Sequence, residues 1–200
     1  MIMYKIGIMG GTFNPIHNGH LMIARKALLE YKLDKIIFLP NGTPPHKSSH
    51  QMASGEHRLA MVQSAIKNEP DFVCSDYEIK KGGVSYTADT LSELKNIYKD
   101  AELYFIIGAD SLRDFPKWVR PEEISGLCTL IVYPRDGIDL IRCKEFAEKT
   151  FNTRILLIDG EDYSISSSQL RLKIQTGEPV WEHIPEGVMD IINKNSLYKK

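Results

Sequence analysis

YKIGIMGGTFNPIHNGHLMIARKALLE, Tyr4 to Glu30, is the stretch whose reading decides the fold. Tyr4–Met9 is a short apolar run closed by the pair Gly10–Gly11, which predicts a first strand ending in a tight turn. Leu21, Ala24, Ala27, Leu28 and Tyr31 then recur at helical spacing with Arg25, Lys26 and Glu30 off the stripe, which predicts a helix over Gly19–Tyr31. A strand, a glycine turn and a helix in that order place unpaired N–H groups and the positive end of the helix dipole at the strand's carboxyl end. That arrangement is a natural seat for phosphate.

Working outward, strand-sized and helix-sized segments keep alternating. Strands are predicted at Lys35–Leu39, Phe72–Cys74, Leu103–Ile107, Cys128–Tyr133 and Arg154–Ile158. Helices are predicted from Ser54 to about Lys67, with Leu59, Ala60, Val62, Ala65 and Ile66 as the apolar face, and from Thr87, as a cap, to Tyr98. Others follow at Asp139–Thr150, Ser167–Gln175 and Glu186–Lys194. The expected fold is α/β: a Rossmann-like, doubly wound, mostly parallel sheet with helices on both faces. One domain over residues 1–200 is expected, its C-terminal helical part covering about 164–200. In such sheets ligands bind beyond the carboxyl ends of the strands, near the point where strand order reverses.

Composition narrows the function classes. Lys+Arg 25 against Asp+Glu 26 gives a net charge of -1, which argues against a chain that coats nucleic acid or an anionic membrane. The longest apolar stretches are strand-sized, and the amino terminus carries no signal-peptide pattern, so no membrane association and a cytoplasmic setting are expected. Cys74, Cys128 and Cys143 are odd in number and form no CxxC pair; they read as reduced thiols near the core, with no structural metal site.

The chemistry is concentrated in GGTFNPIHNGH, Gly10–His20. Two adjacent glycines let the backbone approach a ligand. His17 and His20, separated by Asn18 and Gly19, can both stand at the helix entrance and donate to phosphate oxygens. An isolated HxGH is equally compatible with a plain turn. The loop is not a Walker A motif, and the spacing of Gly7, Gly10 and Gly11 does not make GxGxxG. The longer string resembles the signature of the HxGH nucleotidyltransferases. That resemblance implies that His17 and His20 hold ATP phosphates, with the Gly10, Gly11, Thr12 and Phe13 backbone beside the nucleotide. Many members carry Asp where this chain has Asn14, so a carboxylate charge is not expected to be needed there.

A second phosphate element, SISSSQLR at Ser164–Arg171, supplies hydroxyls and N–H groups at a helix start and an arginine about one turn in. Alone it could be an ordinary serine cap. It resembles the ISSxxxR signature of the same superfamily, which implies that Ser166, Ser167 and Arg171 grip the triphosphate and Ile165 lies by the adenine. Ser168 stands where the usual form has Thr, and Leu170 where Ile is common.

The middle of the chain concerns the acceptor. PNGTPPHK (Pro40–Lys47) presents a lysine at a loop tip, SYTADTL (Ser85–Leu91) opens a helix, and IIGADSLRDFPKW (Ile106–Trp118) leaves a strand through Gly108. Asp110 is placed to bind ribose hydroxyls, Trp118 can stack on a flat heteroaromatic ring, and Arg135 in YPRDG follows the fifth strand. Taken together these segments resemble the bacterial nicotinate-nucleotide adenylyltransferases over nearly the whole chain. The resemblance implies adenylyl transfer from ATP to nicotinate mononucleotide, giving deamido-NAD and pyrophosphate in NAD biosynthesis. It implies His17, His20, Lys47 and Arg171 as catalytic residues, with Gly108 and Asp110 joining the ATP set. Asn41, Lys47, Thr87, Asp110, Trp118 and Arg135 form the acceptor set, Trp118 on the nicotinate ring and Thr87 by its carboxylate. Arg135 departs from an expected arginine-proline-glycine form because Asp136 separates it from Gly137. Mg²⁺ is expected with ATP, held by phosphates and water rather than a protein cage.

The nearest rivals are adenylyltransferases acting on phosphopantetheine or on the amide, nicotinamide mononucleotide. A non-catalytic nucleotide sensor would not need both histidines and a distal arginine. A tRNA-charging enzyme would need a KMSKS-like loop and an anticodon-binding extension, which the chain lacks. The partners expected are thus small molecules, no nucleic acid, and a homo-oligomer is compatible with the sequence.

Overall fold

β1, Tyr4–Gly11, runs through the middle of a six-stranded sheet ordered β3-β2-β1-β4-β5-β6 in a computed structural model that describes residues 4–42, 52–135, 137–159 and 165–199. The other strands are β2 (Lys35–Pro40), β3 (Phe72–Cys74), β4 (Ala101–Gly108), β5 (Thr129–Tyr133) and β6 (Ile155–Leu157). The order reverses direction at β1 and β4, the arrangement expected of a doubly wound Rossmann-like α/β sheet. β1/β4, β4/β5 and β5/β6 are parallel pairs, with Ile8 opposite Phe105 and Gly108 opposite Tyr133. Parallel strands need crossovers, and helices supply them: α1 (Asn18–Glu30), α2 (Gly55–Ile66), α3 (Tyr77–Lys81), α4 (Thr87–Ile97), α5 (Ala109–Asp114), α6 (Pro121–Leu127) and α7 (Leu140–Phe151); α8 (Ser167–Thr176) and α9 (Glu186–Lys194) follow the last strand.

The chain divides into two compact units. The first holds the described residues of 1–10, 23–37 and 86–163. In it Ile6, Ile8, Leu130, Ile131 and Val132 are wholly buried, as near-continuous apolar runs should be in a parallel sheet. Gly7 leaves room for this packing: a Cβ there would lie 2.4 Å from Ile36 Cδ1 and 2.9 Å from Leu33 Cδ1, so both side chains would have to shift. α4 packs on α6 and α5 on α7.

The second unit holds the described residues of 11–22, 38–85 and 164–200. α2 packs on β3 and on α9, and Phe38 meets Phe72 at 5.3 Å between ring centroids. Ser54 caps α2, its hydroxyl accepting from His57 N–H, as its place in the sequence predicts.

Three details differ from the sequence reading. α3, α5 and α6 are single or double turns, too short to show periodicity. α4 takes Tyr86 as its N-cap, with no side-chain bond, so Thr87 is the first helical residue rather than the cap. α2 buries Arg58, Met61, Val62 and Ile66, which rotates its inner face away from the expected Leu59 and Ala60. An arginine therefore occupies a core position.

Candidate active site

In the second unit the signature loop leaves β1 and folds onto itself before α1. Phe13 adopts φ 48, a left-handed backbone that is costly for an aromatic residue and persists only where the surroundings impose it. Its ring is buried, edge-on to His20 at 5.2 Å and tilted against Phe38 at 5.9 Å. The Asn14–Pro15 peptide is cis.

His17 stands at the head of α1. Its carbonyl accepts from the N–H groups of His20 (2.9 Å) and Leu21 (3.4 Å), and its own N–H donates to His20 Nδ1 at 3.2 Å. An accepting Nδ1 leaves the neutral ring's proton on Nε2, so His20 carries a donor on the far side of the ring. The two imidazoles face each other at 3.8 Å between centroids, 37° apart. Asn18 pins the helix entrance: its N–H reaches His183 O at 2.8 Å and its Nδ2 reaches Glu182 O at 2.9 Å. The first turn of α1 contains no acidic side chain to oppose the positive end of its dipole.

The far end of the chain comes to the same loop. Ser166 caps α8 in a reciprocal capping box with Gln169. Ser167 Oγ donates to Pro15 O at 2.9 Å. One turn on, Arg171 Nη1 donates to Asn14 O at 2.9 Å and Nη2 to Ser168 Oγ at 3.3 Å. Buried Arg171 Nε has no partner among the described residues. Ile165, just before the cap, is buried. The two phosphate-type motifs, more than 140 residues apart in sequence, are therefore bonded segment to segment.

Asn14 links more than its carbonyl. Its Oδ1 accepts from Ala53 N–H at 3.0 Å and from Tyr198 O–H at 2.7 Å. Both partners are donors, so this oxygen needs to be an acceptor and need not be charged, which accounts for an amide where many relatives in the resemblance carry Asp. Burial pushes the Tyr198 phenol above its ordinary pKa, with Arg171 and Arg58 pulling the other way. Asn41, expected in the acceptor set, bonds to the loop: its N–H reaches Gly11 O at 2.9 Å and its Nδ2 reaches Thr12 Oγ1 at 3.4 Å. Lys47, the remaining residue expected near phosphate, lies outside the described residues.

The first unit holds Thr87, Asp110, Trp118 and Arg135 of the expected acceptor set. Gly108 ends β4, and a Cβ there would lie 2.4 Å from Asp110 Oδ1 and 3.0 Å from the Tyr133 ring, so a larger residue would displace the Asp110 carboxylate. Asp110, in the first turn of α5, is exposed. Arg135 lies with its guanidinium 5.3 Å from the Tyr133 ring centre, and its Nη2 reaches Tyr133 Oη at 3.3 Å. Trp118 is half-buried against Phe115 (5.5 Å) and Phe105 (6.2 Å). A ring held by its neighbours in this way loses little freedom on stacking. Gly10 is the last residue of β1 in this unit, with the Phe105 ring 3.3 Å from where its Cβ would be. Thr87 is half-buried at the start of α4.

Sequence reasoning missed Arg58, Tyr198 and Tyr133. For Arg58 a signal existed: it lies three and four residues before Met61 and Val62, on the helix stripe that turns inward. Tyr198, near the end of the chain, offered none. Among the described residues no three His, Cys, Asp or Glu side chains are grouped as metal ligands would be, and no helix is long and apolar enough to cross a membrane.

Residues 8–173 match the cytidylyltransferase-like family. A protein of Clostridium acetobutylicum named "Probable nicotinate-nucleotide adenylyltransferase" is 45% identical over 199 residues, covering 98% of this chain and 100% of the relative. A Synechococcus protein of the same name is 42% identical, covering 97% and 94%. In fold, the chain is similar to Plasmodium falciparum nicotinic acid mononucleotide adenylyltransferase complexed with NaAD, with TM-score 0.81, 23% identity and 98% and 97% coverage. The chain belongs to the cytidylyltransferase-like family, and within it to the nicotinate-nucleotide adenylyltransferases.

Proposed function

We infer that this chain transfers the adenylyl group of ATP to the phosphate of nicotinate mononucleotide, forming deamido-NAD and releasing pyrophosphate. The observation that carries the reading is the pair of bonds from Ser167 to Pro15 and from Arg171 to Asn14, which bring both phosphate-type motifs to one loop.

The acceptor phosphate has a second pKa near 6 and is largely dianionic at neutral pH, so its oxygen can attack the α-phosphorus without a protein base. The reaction is a direct in-line displacement in which the chain supplies position and charge. His20 donates through Nε2, the nitrogen its bond from His17 N–H leaves protonated. His17, Lys47 and Arg171 oppose the charge that builds on the α-phosphoryl group and pyrophosphate, and the α1 amino terminus adds its dipole. Gly10, Gly11, Thr12 and Phe13 present backbone to the nucleotide, with Ser166, Ser167 and Ile165 on the α8 side. Gly108 and Asp110 serve the ribose. Trp118 stacks on the nicotinate ring, Thr87 faces its carboxylate, and Asn41 and Arg135 complete the acceptor set. Mg²⁺ bound with the triphosphate would offset phosphate charge there. Residues 1–200 act as one nucleotidyltransferase domain in this reading, in a cytoplasmic setting.

The test is product formation from MgATP with three acceptors: nicotinate mononucleotide, its amide, and phosphopantetheine. Pyrophosphate and deamido-NAD with the acid, and much slower turnover with the others, are expected. Equal or better turnover on phosphopantetheine, or no pyrophosphate with any acceptor, would overturn the assignment.

A further inference from the structure

The second unit contains a buried cation with no counter-ion among the described residues. Arg58 is 1% exposed, and among those residues its guanidinium donates to neutral oxygens. Nε reaches Ala53 O at 3.2 Å, Nη1 reaches Thr12 O at 2.9 Å and Asn41 Oδ1 at 3.2 Å, and Nη2 reaches Gly42 O at 2.8 Å. No carboxylate among the described residues pairs with it, and burial pulls its pKa below the usual arginine value. A guanidinium withdrawn from water is costly unless an anion meets it or its charge serves another end.

The four acceptors are not scattered. Thr12 leaves β1, Asn41 and Gly42 leave β2, and Ala53 precedes α2. Asn41 adds its own bonds to Gly11 O and Thr12 Oγ1, so the two strand exits are tied through this one side chain and its amide partner. Thr12 O is one peptide from Phe13, whose φ of 48 needs outside support and whose ring packs on His20. Displacing Thr12 would therefore move the residue that backs a phosphate-facing histidine. Ala53 extends the chain of contacts, since its carbonyl takes Arg58 Nε while its N–H reaches Asn14 Oδ1.

We propose that Arg58 is a positioning residue for adenylyl transfer: it holds the Thr12–Phe13 turn in its strained form, and its buried charge is matched by the triphosphate bound at that loop rather than by a carboxylate. The proposal rests on the reading that the ATP phosphates occupy the signature loop. Two roles are joined in one side chain and can be separated by substitution. Arg58→Met keeps the apolar stem and removes the charge; Arg58→Lys keeps the charge but cannot reach four oxygens from a single ammonium.

The experiment measures kcat, KM for ATP, KM for nicotinate mononucleotide, and the thermal shift caused by MgATP in the full chain and both variants. Arg58→Met is expected to lose at least half of the MgATP-induced shift and to raise KM for ATP roughly tenfold, with KM for nicotinate mononucleotide changed less than about twofold. Arg58→Lys is expected to recover most of the shift while kcat stays down roughly tenfold. Should the methionine variant not fold, the lysine variant decides, and a wild-type kcat in it overturns the proposal. So does a lysine variant that stays unfolded in saturating MgATP, because a charge matched by the nucleotide is one the nucleotide should stabilise. Equal MgATP shifts and equal KM values in wild type and Arg58→Met, or equal rises in both KM values, overturn it as well. An unsubstituted chain with neither an MgATP shift nor turnover would sink the underlying reading instead, which keeps the two failures apart.

Discussion

The two units handle polar chemistry in opposite ways. The unit of the signature loop turns Asn14, His17 and Arg58 inward, at 5%, 5% and 1% exposure, and bonds Asn14 and Arg58 to groups from distant segments. The unit of β4 and β5 keeps an aliphatic sheet interior and sets Asp110, Trp118 and Arg135 at or near its surface. A buried polar group that loses its partner costs about 1–3 kcal/mol, whereas an exposed pair such as Arg120 with Asp89 is screened by water and adds little. The first kind of construction gives fixed geometry and little tolerance. The second gives a surface on which ring stacking and charge can be adjusted residue by residue.

Breaking the comparison starts where the effect is largest. His20→Ala should lower kcat roughly a hundredfold, the cost of one transition-state donor, with a circular-dichroism spectrum like the parent's. A folded variant with parental turnover would remove His20 from the chemistry. Alkaline unfolding comes next, and here the units should behave alike. Burial pushes the thiols of Cys74 in the second unit and Cys128 in the first up to about 12. Each folded thiol keeps its proton where the unfolded thiol has lost it, so stability is complete below about pH 9 and falls as pH rises toward 12. Urea midpoints of Cys128→Ala should decline less steeply across that window than the parent's.

Trp118→Ala addresses the adjustable surface. KM for nicotinate mononucleotide should rise about tenfold, the worth of one aromatic stack, with KM for ATP nearly unchanged. A rise confined to ATP would reverse the roles given to the two units. Tyr198→Phe is the smallest change, removing one of two donors to Asn14 Oδ1. A loss of about 1 kcal/mol in chemical unfolding is expected, because Ala53 N–H still satisfies that oxygen.

Much of the fold was legible in the residues. Tyr4–Met9 followed by paired glycines and a helical stripe anticipated β1 and α1 to within a few residues, because burial on both faces of a parallel strand and on one face of a helix leaves distinct periods. Phe72–Cys74 and Glu186–Lys194 were read at their observed bounds. The short helices after β3 and β4 were not, since five or six residues carry no period. The inner face of α2 was misplaced because a charged side chain at position 58 looks like solvent surface until its four carbonyl partners are known.

On its own, the sequence determined the alternation of strands and helices, the two phosphate-type motifs and their order, and through them the family. These are local properties: periodicity, turn chemistry and residue type are written over a few neighbouring positions. Tertiary structure alone decided that Arg171 and Ser167 bond to Asn14 and Pro15, that Asn14 serves Tyr198 and Ala53, and that Arg58 lies inside. Those are contacts between segments far apart along the chain, and only chain closure selects which donor meets which carbonyl.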